Sequence, residues 1–268
     1  MTQRYRARLA YDGTAYRGFQ RQRAGVPTVQ ASVEAAITAI TGQQVSIVAA
    51  GRTDTGVHAT GQVIAFDVDW QHTDTDLLRA INVTLPDDIA LQEIVQQAGF
   101  HPRFDARSRT YVYSVYHCER RQPLLATRTW QIHRTLDLAA MQTAAHVLVG
   151  RHDFAAFGKP PQGENTVRDL FRSEWVQQPH MDGQLFTYTV EATAFLQHMV
   201  RRIVGTLVDV GRGWLKISEF ERVFRDADLA QAKTLAPPQG LVFANVRYDD
   251  KITIYSTQRT AHTGDAID

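Results

Sequence analysis

The stretch 50-AGRTDTGVHATG-61 combines three side chains that can do chemistry, Arg52, Asp54 and His58, with three glycines. An ionised carboxylate shielded from water can attack carbon or take up a proton without a metal or cofactor. Arg52 is two residues from Asp54, close enough to favour the ionised carboxylate. The alternative is a hairpin connection in which Asp54 bonds to the backbone of its own turn. The length of the loop, and glycines that let a ligand approach the backbone, favour the chemical interpretation.

The residue pattern gives little support to other reactive sites. The single cysteine, Cys118, excludes an intrachain disulfide and a thiolate zinc site. The histidines lack the i, i+4 spacing of a helical HExxH motif, and the adjacent pair His152 and Asp153 fits no common metal site. Neither a G-x-S-x-G nucleophile elbow nor a glycine-rich phosphate loop is present. We therefore predict no metal site, which leaves Asp54 as the strongest candidate for a reactive group.

Arginines are concentrated in two parts of a chain that is nearly neutral. The net charge is only +1 and the pI is about 8.0. Residues 1–23 nevertheless contain six arginines and one acid, and residues 101–134 contain seven arginines and two acids. Codon bias is an alternative explanation for the scarcity of lysine, but it does not explain the clustering. Because guanidinium groups bind phosphate oxygens and stack on bases, the clusters favour contact with a nucleic acid.

The overall composition is that of an ordinary globular protein, with 44% hydrophobic and 21% charged residues. Apolar runs stay well below the roughly 18 residues that span a membrane. The first residues, MTQRYRARLAYDG, lack the apolar core of a secretory signal. With the single cysteine, these features predict a soluble protein of the cytoplasm that does not bind membranes.

The strands and helices that must position these side chains occur in the same order in both halves of the chain. In the first half, alternating or apolar runs predict four strands around two helices, the first helix capped by Thr28. These elements are strand 4–11, helix 29–41, strands 45–50 and 62–68, a helix over 74–82 led by Asp74, and strand 89–95. The loop with Asp54 then joins two strands, on the half whose first strand has three arginines on one face.

The second half repeats the β-α-β-β-α-β order and adds one helix. Its elements are strand 109–117, helix 138–149 from Asp137 to a stop at Gly150, strands 166–176 and 184–193, a helix over 198–210, a helix from Ser218 with Glu221 in a capping box, and strand 241–248. Arg201 and Arg202 interrupt the apolar stripe of helix 198–210, so one of them needs an anion, for which Asp54 is the candidate.

This order predicts an α+β protein with two ferredoxin-like (split βαβ, RRM-like) units. Their antiparallel sheets would lie side by side or face each other and form a central cleft. We assign residues 1–105 to the first unit, which carries the reactive loop, and residues 106–250 to the second. The polar segment 251–268 is predicted to be a disordered tail.

Six segments between Tyr11 and Val246 share a specific set of motifs. They are 11-YDGTAYRGFQRQ-22, 51-GRTDTGVHATGQV-63, 81-INVTLPDDI-89, 100-FHPRFDARSRTYVY-113, 194-AFLQHMVRRIVG-205 and 240-GLVFANV-246. In these segments the sequence resembles the tRNA pseudouridine synthase A family, the synthases of the anticodon stem-loop. The resemblance implies the pseudouridine synthase fold and the isomerisation of uridine to pseudouridine, with positions 38, 39 and 40 of tRNA as the expected targets.

The resemblance implies a role for individual residues. Asp54 matches the catalytic aspartate, and the expected substrate-binding residues are Tyr111, Arg52, Arg201 and Leu241. We expect the tRNA to be bound by Arg17, Arg21, Arg23, His58, Arg103 and Arg202. The sequence departs from the family pattern at Gln197, Phe243 and Thr193, which affects the expected RNA contacts and not the chemistry.

The implied reaction breaks and remakes a glycosidic bond without a redox step, so we expect no cofactor. Asp54 would attack either the ribose C1′ or the uracil C6, or act as a base through a glycal. The expected partners are tRNA and a second copy of the chain in a homodimer. Two other functions fit the residues: a non-catalytic RNA-binding protein of two RRM-like units, and a cofactor-free carboxylate enzyme that acts on a small molecule.

Overall fold

The computed structural model describes residues 1–160 and 163–249, so the predicted tail 251–268 lies outside the described residues. Within these ranges the chain forms ten strands and five α-helices. The strands are β1 (Gln3–Tyr11), β2 (Val48–Ala49), β3 (His58–Val68), β4 (Ile89–Gln96), β5 (Ser108–His117), β6 (Trp130–Ile132), β7 (Gly150–Asp153), β8 (Val167–His180), β9 (Gly183–Ala192) and β10 (Leu241–Arg247). The helices are α1 (Val29–Thr41), α2 (Asp74–Thr84), α3 (Leu138–His146), α4 (Met199–Gly211) and α5 (Ile217–Asp226).

The first half has the predicted β-α-β-β-α-β order. Helix α1 begins where predicted, because the side chain of Thr28 accepts a hydrogen bond from the backbone of Ala31. Helix α2 also begins where predicted, at Asp74, and the preceding residue, Thr73, caps it in a reciprocal capping box with Asp76. Cap residues with short polar side chains thus set both helix starts.

The second half differs from the prediction at its helix ends and in two short strands. Helix α3 ends at His146 and not near Gly150, which instead begins β7 with a positive φ of 116°. Helix α5 begins after Lys216, whose N–H donates to the Glu219 carboxylate at 2.8 Å. The predicted capping box of Ser218 and Glu221 is therefore wrong. Strands β6 and β7, of three and four residues, are too short to give a periodic signal.

The two halves share one continuous, mostly antiparallel sheet in the order β4-β1-β3-β10-β5-β9-β8-β7. The α+β class is therefore confirmed, and the halves lie side by side. They join through a short parallel pairing of β3 with β10, in which Val242 is opposite His58 and Phe243 is opposite Ala59. Gly61 permits this approach, since a Cβ there would lie 2.1 Å from the carbonyl oxygen of Ala244.

The parallel junction decides where the reactive loop lies. Strands β3 and β10 both begin at the same edge of the sheet, so the segments that precede them are neighbours. One is the loop 50–57, and the other is the short 3₁₀ turn Pro238–Gly240. A Cβ added to Gly56 would lie 3.2 Å from Cγ of Pro238, so the two segments approach each other closely at this edge. The loop with Asp54 therefore sits at the seam between the two halves of the chain.

Among the residues that the structure describes, none of the helices combines the length and the apolar character needed to cross a bilayer.

Candidate active site

The loop 50–57 is held in place by its backbone carbonyl groups. The side chain of Gln62 donates to the Gly51 oxygen at 2.8 Å, and Arg109 donates to the Ala50 oxygen at 3.3 Å. The Thr53 oxygen accepts from the N–H of Phe19 at 3.0 Å. Because these bonds use the main chain, they fix the path of the loop and leave its side chains available for other contacts.

Asp54 forms an ion pair with Arg201, as the predicted need for an anion had suggested. Nη1 of Arg201 donates to Oδ2 of Asp54 at 3.0 Å, and Nε of the same arginine donates to the Ala236 oxygen at 2.8 Å. The side chain of Arg201 is only 12% exposed, whereas that of Asp54 is 30% exposed. Arg201 is thus a rigidly held cation against a carboxylate that a substrate can still reach.

His198 is a second neighbour of Asp54 that the sequence interpretation missed. Its Nε2 lies 3.5 Å from the same Oδ2 atom. The residue precedes α4 in a left-handed conformation, with φ 61°, and its side chain makes no capping hydrogen bond. The three-residue spacing from Arg201, which places side chains on one helix face, was the available signal. Within residues 1–160 and 163–249, the polar side-chain contacts of Asp54 all go to Oδ2, and Oδ1 has no such contact.

Tyr111 lies beside the loop in an aromatic cluster. Its ring stacks on Phe243 with centroids 4.7 Å apart and meets the edge of Phe195 at 5.0 Å. A Cβ on Gly51 would lie 3.8 Å from the Tyr111 hydroxyl. Burial raises the pKa of Tyr111 above its usual value, and the negative charge of Asp54 adds to the shift. The phenol therefore stays protonated and can donate a hydrogen bond.

The other two predicted substrate-binding residues differ in burial. Leu241 is buried at the start of β10, opposite Tyr113 of β5. Arg52 is exposed and makes no ion pair with any other described residue. Arg201, and not Arg52, forms the ion pair with Asp54. A contribution of Arg52 to stabilising the charge of Asp54 stays a prediction. Arg52 remains a predicted substrate contact.

His58 is a buried link between the two halves and not an exposed RNA contact. Only 4% of the residue is exposed. Its Nδ1 lies 3.0 Å from the backbone nitrogen of Gly13, 2.9 Å from Nη1 of Arg128 and 3.0 Å from Oδ1 of Asp12. Since the first two of these neighbours are obligatory donors, Nδ1 accepts. Its Nε2 lies 3.2 Å from the Gln239 oxygen and must carry the proton. His58 is thus neutral and positions the reactive loop, which replaces the predicted role in binding tRNA.

Asp12 completes this link from the other side of Arg128. Nη2 of Arg128 donates to Oδ2 of Asp12 at 2.7 Å. Burial opposes ionisation of Asp12, but the hydrogen bonds from Arg128 and Thr14 outweigh it and lower the pKa of the carboxyl well below its usual range. The ion pair ties the segment after β1 to the segment before β6.

Acidification is expected to destabilise the fold through His58. Burial, with the charge of Arg128, lowers the pKa of His58 below its usual value of about 6.5. The unfolded chain then binds a proton that the folded chain does not, so the free energy of unfolding falls as pH drops below about 6.5, by at most about 1.4 kcal/mol per pH unit. Denaturant titrations across this range should show the decline in the wild type and a flatter profile in His58→Gln. The exposed control His72→Gln should keep the wild-type slope, and parallel profiles for wild type and His58→Gln would contradict the assignment.

The remaining predicted tRNA-binding residues differ in availability. Arg17, Arg23 and Arg103 are exposed and make no ion pair with other described residues. Arg21 pairs with Glu34 at 2.8 Å and is about half exposed. Arg202 is half-buried and donates to the Ala232 oxygen at 3.1 Å. The first three are the best placed to bind a phosphate backbone.

The arginine face of β1 stabilises the fold itself. Arg4 pairs with Asp67 and Arg8 with Glu93. Arg6 is buried between the rings of Phe100 and Tyr248, about 5 Å from each centroid. The clustering that favoured a nucleic-acid partner therefore includes arginines that are used inside the protein.

Among the described residues, no three or more histidine, cysteine, aspartate or glutamate side chains are grouped so that they could hold a metal ion.

Known proteins match most of the length of this chain. The family model described as tRNA pseudouridine synthase matches residues 7–105 and 144–249. Proteins called tRNA pseudouridine synthase A are similar over most of their length. Those of Neisseria gonorrhoeae (strain ATCC 700825 / FA 1090) and Pseudothermotoga lettingae are each 40% identical, covering 92% and 89% of this chain and 92% and 96% of their own. That of Bordetella parapertussis is 41% identical over 90% of this chain and 88% of its own.

Among solved structures, the chain was compared with that of an archaeal box H/ACA sRNP Nop10-Cbf5 complex. The TM-score is 0.33 and the identity 13%, over 76% of this chain and 44% of the other. These values are too low to support any argument about this protein.

Proposed function

Because this chain belongs to the tRNA pseudouridine synthase family, whose members isomerise uridine to pseudouridine in tRNA, we propose that Asp54 is its catalytic residue. The observation that carries the proposal is the asymmetric carboxylate. Oδ2 of Asp54 is held by Arg201, while Oδ1 has no polar partner among the described residues. A carboxylate that has one oxygen held in an ion pair and the other oxygen free suits the role of a nucleophile or a base.

The reaction needs one reactive group and no electron transfer. The bond between N1 of uracil and C1′ of ribose breaks, the base rotates, and a bond between C5 and C1′ forms. C5 loses its proton and N1 gains one, so the product is an isomer of the substrate. Asp54 can begin this sequence by attack on C1′, by attack on C6, or by removal of a ribose proton to give a glycal. All three routes start from an ionised carboxylate, whose charge Arg201 stabilises in a partly dehydrated site.

The buried aromatic cluster provides a surface for the base. A uridine within a stem must first be extruded, which costs a few kcal/mol. We propose that Tyr111 then contacts the extruded uracil, with Leu241 and Arg52 lining the same site. Tyr111 is held by Phe243 and Phe195, so its position does not depend on the substrate.

The tRNA would be bound mainly through its backbone. Arg17, Arg23 and Arg103 are exposed, and phosphate contacts by such side chains position an RNA without reading its sequence. Arg21 and Arg202 complete the proposed set, although each also binds within the protein. We propose uridines of the anticodon stem-loop, at positions 38, 39 and 40, as the targets.

Three further properties are part of the same proposal. The halves 1–105 and 106–250 would each be a ferredoxin-like unit, which the β-α-β-β-α-β order of the first half supports. The enzyme would act in the cytoplasm. It would be a homodimer in which both copies contact one tRNA, as the resemblance to the family implies.

The proposed function is tested by release of tritium from tRNA labelled at C5 of uracil. Formation of the new C5 bond must expel that label into water. We expect release from transcripts with uridine at positions 38, 39 or 40, and none when these are replaced by cytidine. Binding without release, from a folded protein and several tRNAs, would instead support a non-catalytic RNA-binding protein.

A further inference from the structure

An exposed aromatic side chain lies on the turn that precedes β5. Phe104 is 76% exposed, whereas most of the described phenylalanines are buried in the core. The ring of His101 stacks against it, with centroids 4.1 Å apart and an angle of 26° between the planes. Since His101 covers only one face and the exposure stays high, the other face of Phe104 is open to solvent.

The turn is built so that this ring has a defined position. Nδ1 of His101 accepts hydrogen bonds from the backbone N–H groups of Arg103 and Phe104, both at 3.2 Å. The carboxylate of Asp105 accepts from the N–H of His101 at 2.9 Å, and the N–H of Asp105 donates back to the His101 oxygen at 3.1 Å. An apolar ring that is held outside the core in a fixed position is preorganised to bind a ligand.

A single buried arginine connects the turn to the reactive loop. Nη2 of Arg109 donates to the Arg103 oxygen at 2.6 Å and to the Ala50 oxygen at 3.3 Å. Ala50 is the first residue of the stretch that contains Asp54. The open ring is therefore fixed relative to the catalytic residue, on the side of the loop that faces the turn 101–105.

The charge next to the ring indicates the class of ligand. The guanidinium of Arg103 lies 5.9 Å from the centre of the Phe104 ring and is itself exposed. An open aromatic face beside a free arginine suits a nucleotide, because the base can stack while the cation meets the phosphate. A protein or membrane partner would not need a cation beside one isolated ring.

We propose that Phe104, backed by His101, is a stacking platform for one unpaired base of the tRNA anticodon loop, with Arg103 at the adjacent phosphate. The proposal rests on the proposed function, since it assumes a tRNA whose target uridine lies at Asp54. The platform holds a neighbouring nucleotide and so keeps the target in register while its base is extruded.

The proposal is tested with Phe104→Ala, Phe104→Leu and Phe104→Trp, using an anticodon stem-loop RNA. We expect Phe104→Ala to weaken binding about 10-fold or more, as loss of one base stack does. Leucine keeps apolar volume without an aromatic face and should not restore binding, whereas tryptophan should. The matched control is Phe171→Ala on β8, an exposed ring with the Arg247 guanidinium 6.0 Å from its centre, which should bind like the wild type.

Abasic substitutions in the loop of the RNA locate the stacked base. One abasic position should weaken binding to the wild type and cause no further loss with Phe104→Ala, because the two changes remove the same contact. Equal binding by wild type and Phe104→Ala, or rescue by leucine, would overturn the proposal. So would conversion of a wild-type dimer to monomers by Phe104→Ala in sedimentation, which would assign the ring to the contact between copies. Failure of the wild type to release tritium would count against the proposed function alone, since the binding series stands without turnover.

Discussion

Replacing Asp54 by asparagine is expected to reduce pseudouridine formation about 10⁴-fold or more, in line with the loss of a nucleophile or base in other enzymes. The amide has nearly the same size as the carboxylate, but it can neither attack carbon nor accept a proton at neutral pH. Affinity for tRNA should stay within about threefold of the wild type, because it depends mainly on phosphate contacts. Single-turnover assays with excess enzyme measure the chemical step, and filter binding measures the affinity.

Asp67→Asn is the matched control for this change. Asp67 also pairs with an arginine, Arg4 at 2.6 Å, but it lies on β3 away from the reactive loop. The control should keep nearly full activity, so that loss of an ion pair as such can be separated from loss of the reactive group. More than about one hundredth of the wild-type rate in Asp54→Asn would show that the carboxylate is not the catalytic group.

The pairing of Asp54 with Arg201 could be predicted from the sequence because burial of a cation has a strong consequence. One of the two arginines in the apolar stripe of the helix needed an anion. The structure supplies Asp54 for Arg201, whereas Arg202 donates to a backbone carbonyl. His198 could not be found in the same way. Its orientation depends on a left-handed backbone conformation, which a non-glycine residue in a helical pattern does not reveal.

The strands were predictable, but their central pairing was not. Alternation of side chains identifies a strand and its two faces, whereas the choice of partner depends on contacts between distant parts of the chain. The pairing of β3 with β10 joins residues that are more than half of the sequence apart. It also buries His58, whose sequence neighbours Thr55 and Thr60 are exposed, so an exposed role for His58 was a reasonable but wrong prediction.

Replacing Arg201 by alanine is expected to lower kcat about 100-fold, the usual effect of removing one fixed charge from a reaction centre. The substrate-bound Asp54 would lose the cation that orients Oδ2 and stabilises its charge, while the surfaces that bind tRNA stay intact. KM should therefore change little. Arg201→Lys keeps the charge but loses the hydrogen bond from Nε to the Ala236 oxygen. We therefore expect its kcat to lie between those of Arg201→Ala and the wild type.

His198→Gly is the matched comparison, since it removes the longer of the two contacts to the same oxygen. Glycine also relieves the left-handed conformation at this position, so the variant should be at least as stable as the wild type. Because His198 lies 3.5 Å from Oδ2 and Arg201 only 3.0 Å, we expect a smaller loss of kcat, of about 10-fold or less. Steady-state kinetics on one tRNA, with circular dichroism to confirm folding, decide the order. Equal losses for His198→Gly and Arg201→Ala would mean that Arg201 holds Asp54 only as one of two equivalent donors, and not as the cation on which the charge of the carboxylate depends.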